Sequence, residues 1–321
     1  MKKILVCGAG GFIGSHLVRS LREQGHYVVG ADIKLPEFSI TAAHEFHQVD
    51  LRNQRAVRKL ITADIDEIYQ LAAEMGGAGY IFTGSNDADI MHNSALINLN
   101  VLHEMTFKKI KKIFYSSSAC IYPEHNQLDP SNPITSESSA YPADPDSEYG
   151  WEKLFSERLY HSYHRNYGID IRIARLHNVF GPECVWSGGR EKAPAALCRK
   201  VSEADVNGTV EVWGPGTQTR SFLYIDECIE GIHRVMATDY RLPLNLGSSR
   251  MIAINDLVQL IARKAHKSIT ITNIQGPLGV MGRSSDNTVI QTVLGWQPPD
   301  NLEQGIEKLY HWIELQRLCQ T

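Results

Sequence analysis

Short apolar runs alternate with helical stripes along the first half of the chain. Ile4 to Cys7 is an apolar run of the length expected for a strand buried on both faces. Gly8-Ala9-Gly10-Gly11-Phe12-Ile13-Gly14 follows at once. Ile13, Leu17 and Leu21 then recur on one helical face, and Gly25 is the expected stop. Further strands are predicted at Tyr27 to Ala31 (ending on Asp32), His47 to Val49, Glu67 to Ala73, Lys112 to Ser116 and Asp170 to Leu176. Tyr149 opens a helix running to about His164. Strands alternating with helices predict an α/β protein with a Rossmann-like doubly wound parallel sheet, whose ligands bind beyond the carboxyl ends of the strands.

The pattern changes after His177-Asn178-Val179-Phe180-Gly181-Pro182. We expect residues 1–182 to form a nucleotide-binding unit to which 222–250 returns. Residues 183–221 and 251–321 are expected to form a smaller C-terminal α/β unit that holds the substrate. In that second unit Ile254, Leu257, Ile261 and Ala265 make a helical stripe, and Leu302, Ile306, Leu309 and Trp312 mark a closing helix. Pro123 to Glu148 carries five prolines among many Ser and Asp. It reads as a long ordered loop forming a partial lid over the site.

Composition narrows the function classes. The 321 residues are 43% hydrophobic and 21% charged, with a formal net charge of −4. That is ordinary globular material with no electrostatic footprint for nucleic acid or membrane. The six cysteines show no CxxC pair and no metal spacing, so neither a disulfide framework nor a metal site is expected. The apolar run at the N-terminus is too short for a signal peptide, and a cytoplasmic setting is expected.

The glycine run has a specific chemical use. Placed between a strand and a helix, Gly8, Gly11 and Gly14 let the main chain approach a pyrophosphate, and Phe12 and Ile13 open a helix whose free N–H groups face it. Asp32, roughly 20 residues on, is placed to bind the adenosine ribose 2′-OH and to repel a 2′-phosphate, which favours NAD over NADP. Asp50 and Leu51 would flank the adenine, and Leu71, Ala72 and Ala73 would let the cofactor lie against the backbone.

The stretch Ser116 to Tyr122 and the pair Tyr149 and Lys153 supply the rest of a hydride-transfer site. At i, i+4 spacing Tyr149 and Lys153 share a helix face. A phenol of pKa near ~10 is a poor base at neutral pH. The lysine ammonium and an oxidised nicotinamide, both positive, would favour the phenolate. Tyr149 could then take a hydroxyl proton, Lys153 bond the nicotinamide ribose, and Ser118 bond the same substrate oxygen. With these residues the chain resembles the extended short-chain dehydrogenase/reductase family, which acts on nucleotide sugars. In that family the position two past the active-site serine is commonly Glu in 4,6-dehydratases and Thr in 4-epimerases; here it is Cys120.

Cys120 is expected to alternate onto the same side of the strand end as Ser118. A thiol has no part in hydride transfer, and free cysteine is most often a small buried hydrophobe. Beside Ser118 it has a chemical use. A 4-keto sugar has acidic C–H bonds at C3 and C5, and removing and returning those protons inverts configuration when acid and base lie on opposite ring faces. A thiolate is a competent base and a lysine a competent acid. The candidate lysine lies in Gly188-Gly189-Arg190-Glu191-Lys192-Ala193-Pro194, otherwise a solvated loop before a helix.

A closer likeness joins these pieces. Ala73-Glu74-Met75-Gly76-Gly77, Ser117 to Glu124, Gly188 to Ala196, Gln218 to Phe222 and Gly282 to Asn287 resemble the family of GDP-mannose 3,5-epimerases, and the likeness runs from about Gly8 to Trp312. It implies that Cys120 and Lys192 are the epimerising acid/base pair and Tyr149 the base for C4 oxidation. It further implies that Gly77, Ser118, Ala119, Cys120, Asn178, Glu191, Lys192, Lys200, Gln218, Arg220 and Arg283 contact the substrate, with Arg220 and Arg283 first, and Lys200 next, on the diphosphate. GDP-D-mannose would be converted to GDP-L-galactose, and to GDP-L-gulose where only C5 inverts, by transient C4 oxidation with bound NAD. A homodimer through the helices near Asn93 to Lys108 and Glu152 to Tyr167 is implied as well. Trp151 stands where a smaller apolar residue is expected, and Glu74 where the plant members have Asp. A nucleotide-sugar 4-epimerase or 4,6-dehydratase remains the alternative enzyme, the latter disfavoured by Ala119-Cys120, and a non-catalytic NAD-binding sensor the alternative outside catalysis.

Overall fold

The computed structural model describes residues 1–320. Seven strands form one parallel sheet in the order Leu244–Leu246, Asp170–Leu176, Lys112–Ser118, Glu67–Gln70, Lys3–Cys7, Tyr27–Asp32 and Glu45–Gln48. The chain winds outward from Lys3–Cys7 in one direction, then returns to its other side at Glu67–Gln70, so a crevice opens at that switch point. Ile4 and Val6 pack with Leu17 and Leu21 of the Phe12–Glu23 helix on one face. Leu5 and Cys7 pack with Ile97, Val101 and Tyr160 on the other, beneath the Asp87–Lys108 and Glu148–Tyr167 helices. Burial on both faces is why these strands read as unbroken apolar runs.

Strand ends differ from the expected ones where side chains intervene. The fourth strand ends at Gln70 rather than Ala73. The Gln70 amide folds back, donating to the Ala72 carbonyl and accepting from the Ala72 N–H, which closes a turn. The third strand is Glu45–Gln48, and the fifth runs on to Ser118.

Beyond the sheet, Thr209–Trp213 pairs in parallel with Thr270–Ile274. Thr219–Ser221 lies between Met251–Ala253 and Gly282–Arg283. The helices Ala193–Glu203, Ile254–Lys264 and Leu302–Gln320 pack together, with Leu257 and Ile261 of the expected stripe fully buried.

The proline-rich loop is a bolted scaffold rather than a lid. The Thr135 carbonyl accepts from Asn245 Nδ2 and the Glu137 carbonyl from Arg175 Nη1. The Pro130 carbonyl accepts from the Thr219 hydroxyl. No residue of 123–147 lines the cavity that holds Ser118, Cys120 and Tyr149; the loop supports the site from outside it.

Candidate active site

The glycine loop builds a tight cradle. Gly11 precedes the first turn of the Phe12–Glu23 helix in extended conformation, so the N–H groups of Phe12 and Ile13 are free to meet an anion. A Cβ on Gly14 would lie 1.9 Å from the Gly8 carbonyl oxygen, so the helix cannot approach the loop with any other residue there. Leu71 and Ala72 press their backbone on Gly8. At the end of the second strand Asp32 accepts from the Gly10 and Lys34 N–H groups. Asp50 is engaged by Arg52, and Leu51 is buried beside it. These residues fit a dinucleotide whose pyrophosphate meets the Gly8–Gly14 loop and whose ribose meets Asp32. Gly10, whose N–H fixes the Asp32 carboxylate, was not among the expected residues, although the doubled glycine at 10 and 11 marks it.

Ser118, Tyr149 and Lys153 converge from one strand end and one helix. Ser147 caps the Glu148–Tyr167 helix by accepting from the Gly150 N–H, which sets Tyr149 in the first turn. A Cβ on Gly150 would come within 2.2 Å of the Cys120 carbonyl oxygen, so glycine lets the helix start rest directly on the turn that carries the thiol. Tyr149 and Ser118 line the same cavity. Lys153 Nζ donates to the Ser116 carbonyl at 2.8 Å and lies 5.7 Å from the centre of the Tyr149 ring. Burial pushes the Tyr149 phenol well up, and the charges of Cys120 and Glu152 add to that, with the nearby Ser118 hydroxyl alone opposing. Lys153 is itself pushed down by desolvation.

Cys120 does not continue the strand. Ser118 caps a 3₁₀ turn, Ala119–Ile121, its hydroxyl accepting from the Cys120 N–H at 3.1 Å. The thiol therefore reaches the serine's side through a turn and not through strand alternation. Lys192 caps the Ala193–Glu203 helix, with Pro194 in its first turn. Desolvation pushes the Lys192 ammonium down, and the Cys120 charge is the strongest influence opposing it. Gly77 donates its N–H to the Arg190 carbonyl, and a Cβ there would lie 2.1 Å from the Glu191 carbonyl oxygen. That close approach brings the 188–192 loop over the cavity. Glu191 is held by the Gly189 N–H and Arg199.

One cavity of about 280 Å³ gathers the expected substrate residues. Gly77, Ser118, Ala119, Cys120 and Tyr149 line it from the sheet side. Asn178, Glu191, Lys192 and Lys200 line it from the next segments, and Gln218, Arg220 and Arg283 from the last ones. The two arginines differ. Arg220 donates from Nη1 and Nη2 to the carbonyls of Thr219, Leu278 and Val280. Burial and then Arg283 push it below its ordinary value, so an anion in the cavity would be welcome there. The Arg283 guanidinium is already held by three partners. Its Nη2 pairs with Asp146 at 3.1 Å, its Nε donates to Gln127 at 2.6 Å, and its Nη1 lies 3.1 Å from Cys120 Sγ. Arg283 nonetheless lines the same cavity as Arg220. Lys200 bonds the Glu211 carbonyl and keeps further donors. Phe82, Trp213 and Leu278 also line the cavity and were not anticipated, since single apolar residues carry no motif.

Comparison with known proteins agrees with this geometry. Residues 4–247 match the model of the NAD dependent epimerase/dehydratase family. GDP-mannose 3,5-epimerase of Arabidopsis thaliana is 45% identical over 316 residues, 98% of this chain and 82% of that protein. Among solved structures, UDP-glucuronic acid 4-epimerase from Bacillus cereus, in complex with UDP-glucuronic acid and NAD, has a TM-score of 0.83 and 28% identity over 98% of this chain and 99% of the other. UDP-glucose 4-epimerase of Thermotoga maritima has a TM-score of 0.87 at 23% identity over 98% and 99% of the two chains, a likeness of fold.

Proposed function

The chain belongs to the NAD dependent epimerase/dehydratase family, and we propose that it is an isomerase that inverts GDP-D-mannose at C3 and C5. The observation that carries this reading is the meeting of Cys120 and Lys192 with Tyr149 and Ser118 in one cavity. A simple 4-epimerase has no use for the first pair.

NAD, when bound, supplies a reversible hydride acceptor for C4. The chain's own residues do the rest. Ser118 and Tyr149 bond the C4 oxygen, and Tyr149 takes and later returns its proton. Lys153, fixed by the Ser116 carbonyl, holds the ribose side of the crevice. With C4 a carbonyl, the C–H bonds at C3 and C5 are acidic. Cys120 and Lys192, arriving on separate elements, take a proton from carbon and deliver one to it, the electron pair passing to the C4 oxygen and back. Arg220 and Lys200 meet the diphosphate. The products are GDP-L-galactose and, where C5 alone inverts, GDP-L-gulose. No net oxidation occurs, so the cofactor stays bound.

The assembly and setting belong to the same proposal. Residues 1–182 with 222–250 hold the cofactor, and 183–221 with 251–321 the nucleotide sugar. Leu99 and Phe107 on one helix and Trp151, Phe155 and Tyr167 on its neighbour leave apolar surface exposed, which supports a homodimer built on this helix pair. A free thiol at the catalytic centre suits a cytoplasmic, reducing compartment. Incubation with GDP-mannose, read by NMR of the sugar product, tests the activity. The expected products are the galactose and gulose forms. Inversion at C4 alone, or a 4-keto-6-deoxy sugar, would replace this reading with one of the related enzymes.

A further inference from the structure

The contact between Arg283 and Cys120 joins parts of the chain far apart in sequence, and the framework around it is rigid. Arg283 closes the short Gly282–Arg283 strand beside Thr219–Ser221. That strand docks on the proline-rich loop, the Met281 N–H donating to the Gln127 carbonyl. Gln127 is fully buried. Its amide nitrogen donates to the carbonyls of Tyr122 and Pro123, which fixes its oxygen toward Arg283 Nε. Asp146 takes Nη2, and the two side chains of this ion pair are only 5% and 4% exposed. Once Nε and Nη2 are held, the planar guanidinium has no freedom left, and Nη1 points at the sulfur at 3.1 Å.

We infer that Arg283 is the donor that supports negative charge on the Cys120 sulfur, and that Gln127 and Asp146 are positioning residues that hold it there. The inference rests on the reading of Cys120 as the acid–base thiol. A sulfur that takes a proton from carbon starts as an anion, and a charge-assisted N–H bond favours that form. Other charged and titratable groups also face this sulfur: Lys192 from the next helix, Arg220 from Thr219–Ser221, and Tyr149 and Lys153 from the Glu148–Tyr167 helix. Arg283 alone among them has a nitrogen within hydrogen-bonding distance of the sulfur. The buried Asp146 carboxylate offsets the arginine's charge without removing its hydrogen bond.

Alkylation by iodoacetamide reads the thiol directly, whether or not the protein turns over GDP-mannose. The background is Cys319→Ser, because Cys319 is exposed while Cys7, Cys184, Cys198 and Cys228 are buried. Removing both charges together, Arg283→Gln with Asp146→Asn, avoids stranding either one in the interior. This variant should alkylate at Cys120 about tenfold more slowly at pH 7, with the gap closing by pH 10, where an unsupported thiol also ionises. Gln127→Ala, which removes no charge, should slow the reaction in the same direction by about two- to threefold. Asp146→Asn alone keeps an acceptor for Nη2 and should react at least as fast as the background. Background rates at pH 7 in the first two variants, a slowdown that persists at pH 10, or a slower Asp146→Asn would each overturn the inference.

Discussion

The two halves of the cavity, proposed to handle hydride and proton respectively, are built in different ways. Ser118, Tyr149 and Lys153 come from one strand end and the helix packed against it, and their positions follow from local rules: a serine cap, i, i+4 spacing and a backbone carbonyl that aims the lysine. Cys120, Lys192 and Arg283 come from a 3₁₀ turn, a helix N-cap and a short strand, separated by up to 163 positions. Their meeting depends on the whole fold. The first half is a module that a large family can share, whereas the second is where one member acquires its own chemistry. If that division is real, the halves should fail separately.

The largest effect is expected from Tyr149→Phe. It removes the group that moves the C4 hydroxyl proton, so turnover should fall by about 10³-fold with dinucleotide affinity unchanged, read by steady-state kinetics and by titration with NAD. Cys120→Ala tests the opposite failure. Epimerisation should drop by about 10²-fold or more, while the 340 nm absorbance that reports C4 oxidation still develops on mixing with GDP-mannose. Loss of that absorbance would show that the halves are not separable.

Next comes the seam between them. His177 follows the Asp170–Leu176 strand, buried, with Nε2 against Asn245, which ties down the Thr135 and Asp286 carbonyls. Burial lowers its pKa from 6.5 to about 4. The unfolded chain therefore binds a proton between these values that the folded one refuses, and stability is lost as pH falls through 6.5 toward 4. The loss should amount to about 3 kcal/mol. Denaturant midpoints of His177→Gln should decline less steeply over that window.

The smallest effect belongs to the cofactor end. Asp32→Ala removes the carboxylate that opposes a 2′-phosphate, and NADP affinity relative to NAD should rise by about tenfold, measured by competitive binding. It should leave the Cys120 alkylation rate unchanged, because Asp32 belongs to the cofactor crevice and does not line the cavity.

Legibility in the sequence follows the same division. The strands and the glycine loop were plain, because apolar runs and glycine spacing record local geometry. Tyr149 and Lys153 were plain for the same reason. The substrate residues were found through likeness to a family, and all of them line one cavity. What the residues alone could not tell was which partner each charge would take. Nothing near Arg283 in sequence shows that Gln127, Asp146 and Cys120 engage it, and the first two lie in a loop whose prolines suggested a lid. Cys120 read as the next residue of a strand, because the Ser118 cap that bends the chain is visible only in three dimensions. The burial that pushes the Tyr149 phenol up has no local signature in the sequence.

The most direct test of the two-part account is turnover of GDP-mannose in D₂O, with recovered sugars analysed by NMR. Deuterium should enter at C3 and C5, where Cys120 and Lys192 exchange protons with solvent, and C4 should keep its hydrogen, carried internally. Recovered sugars without deuterium at C3 and C5, or with deuterium at C4, would contradict it.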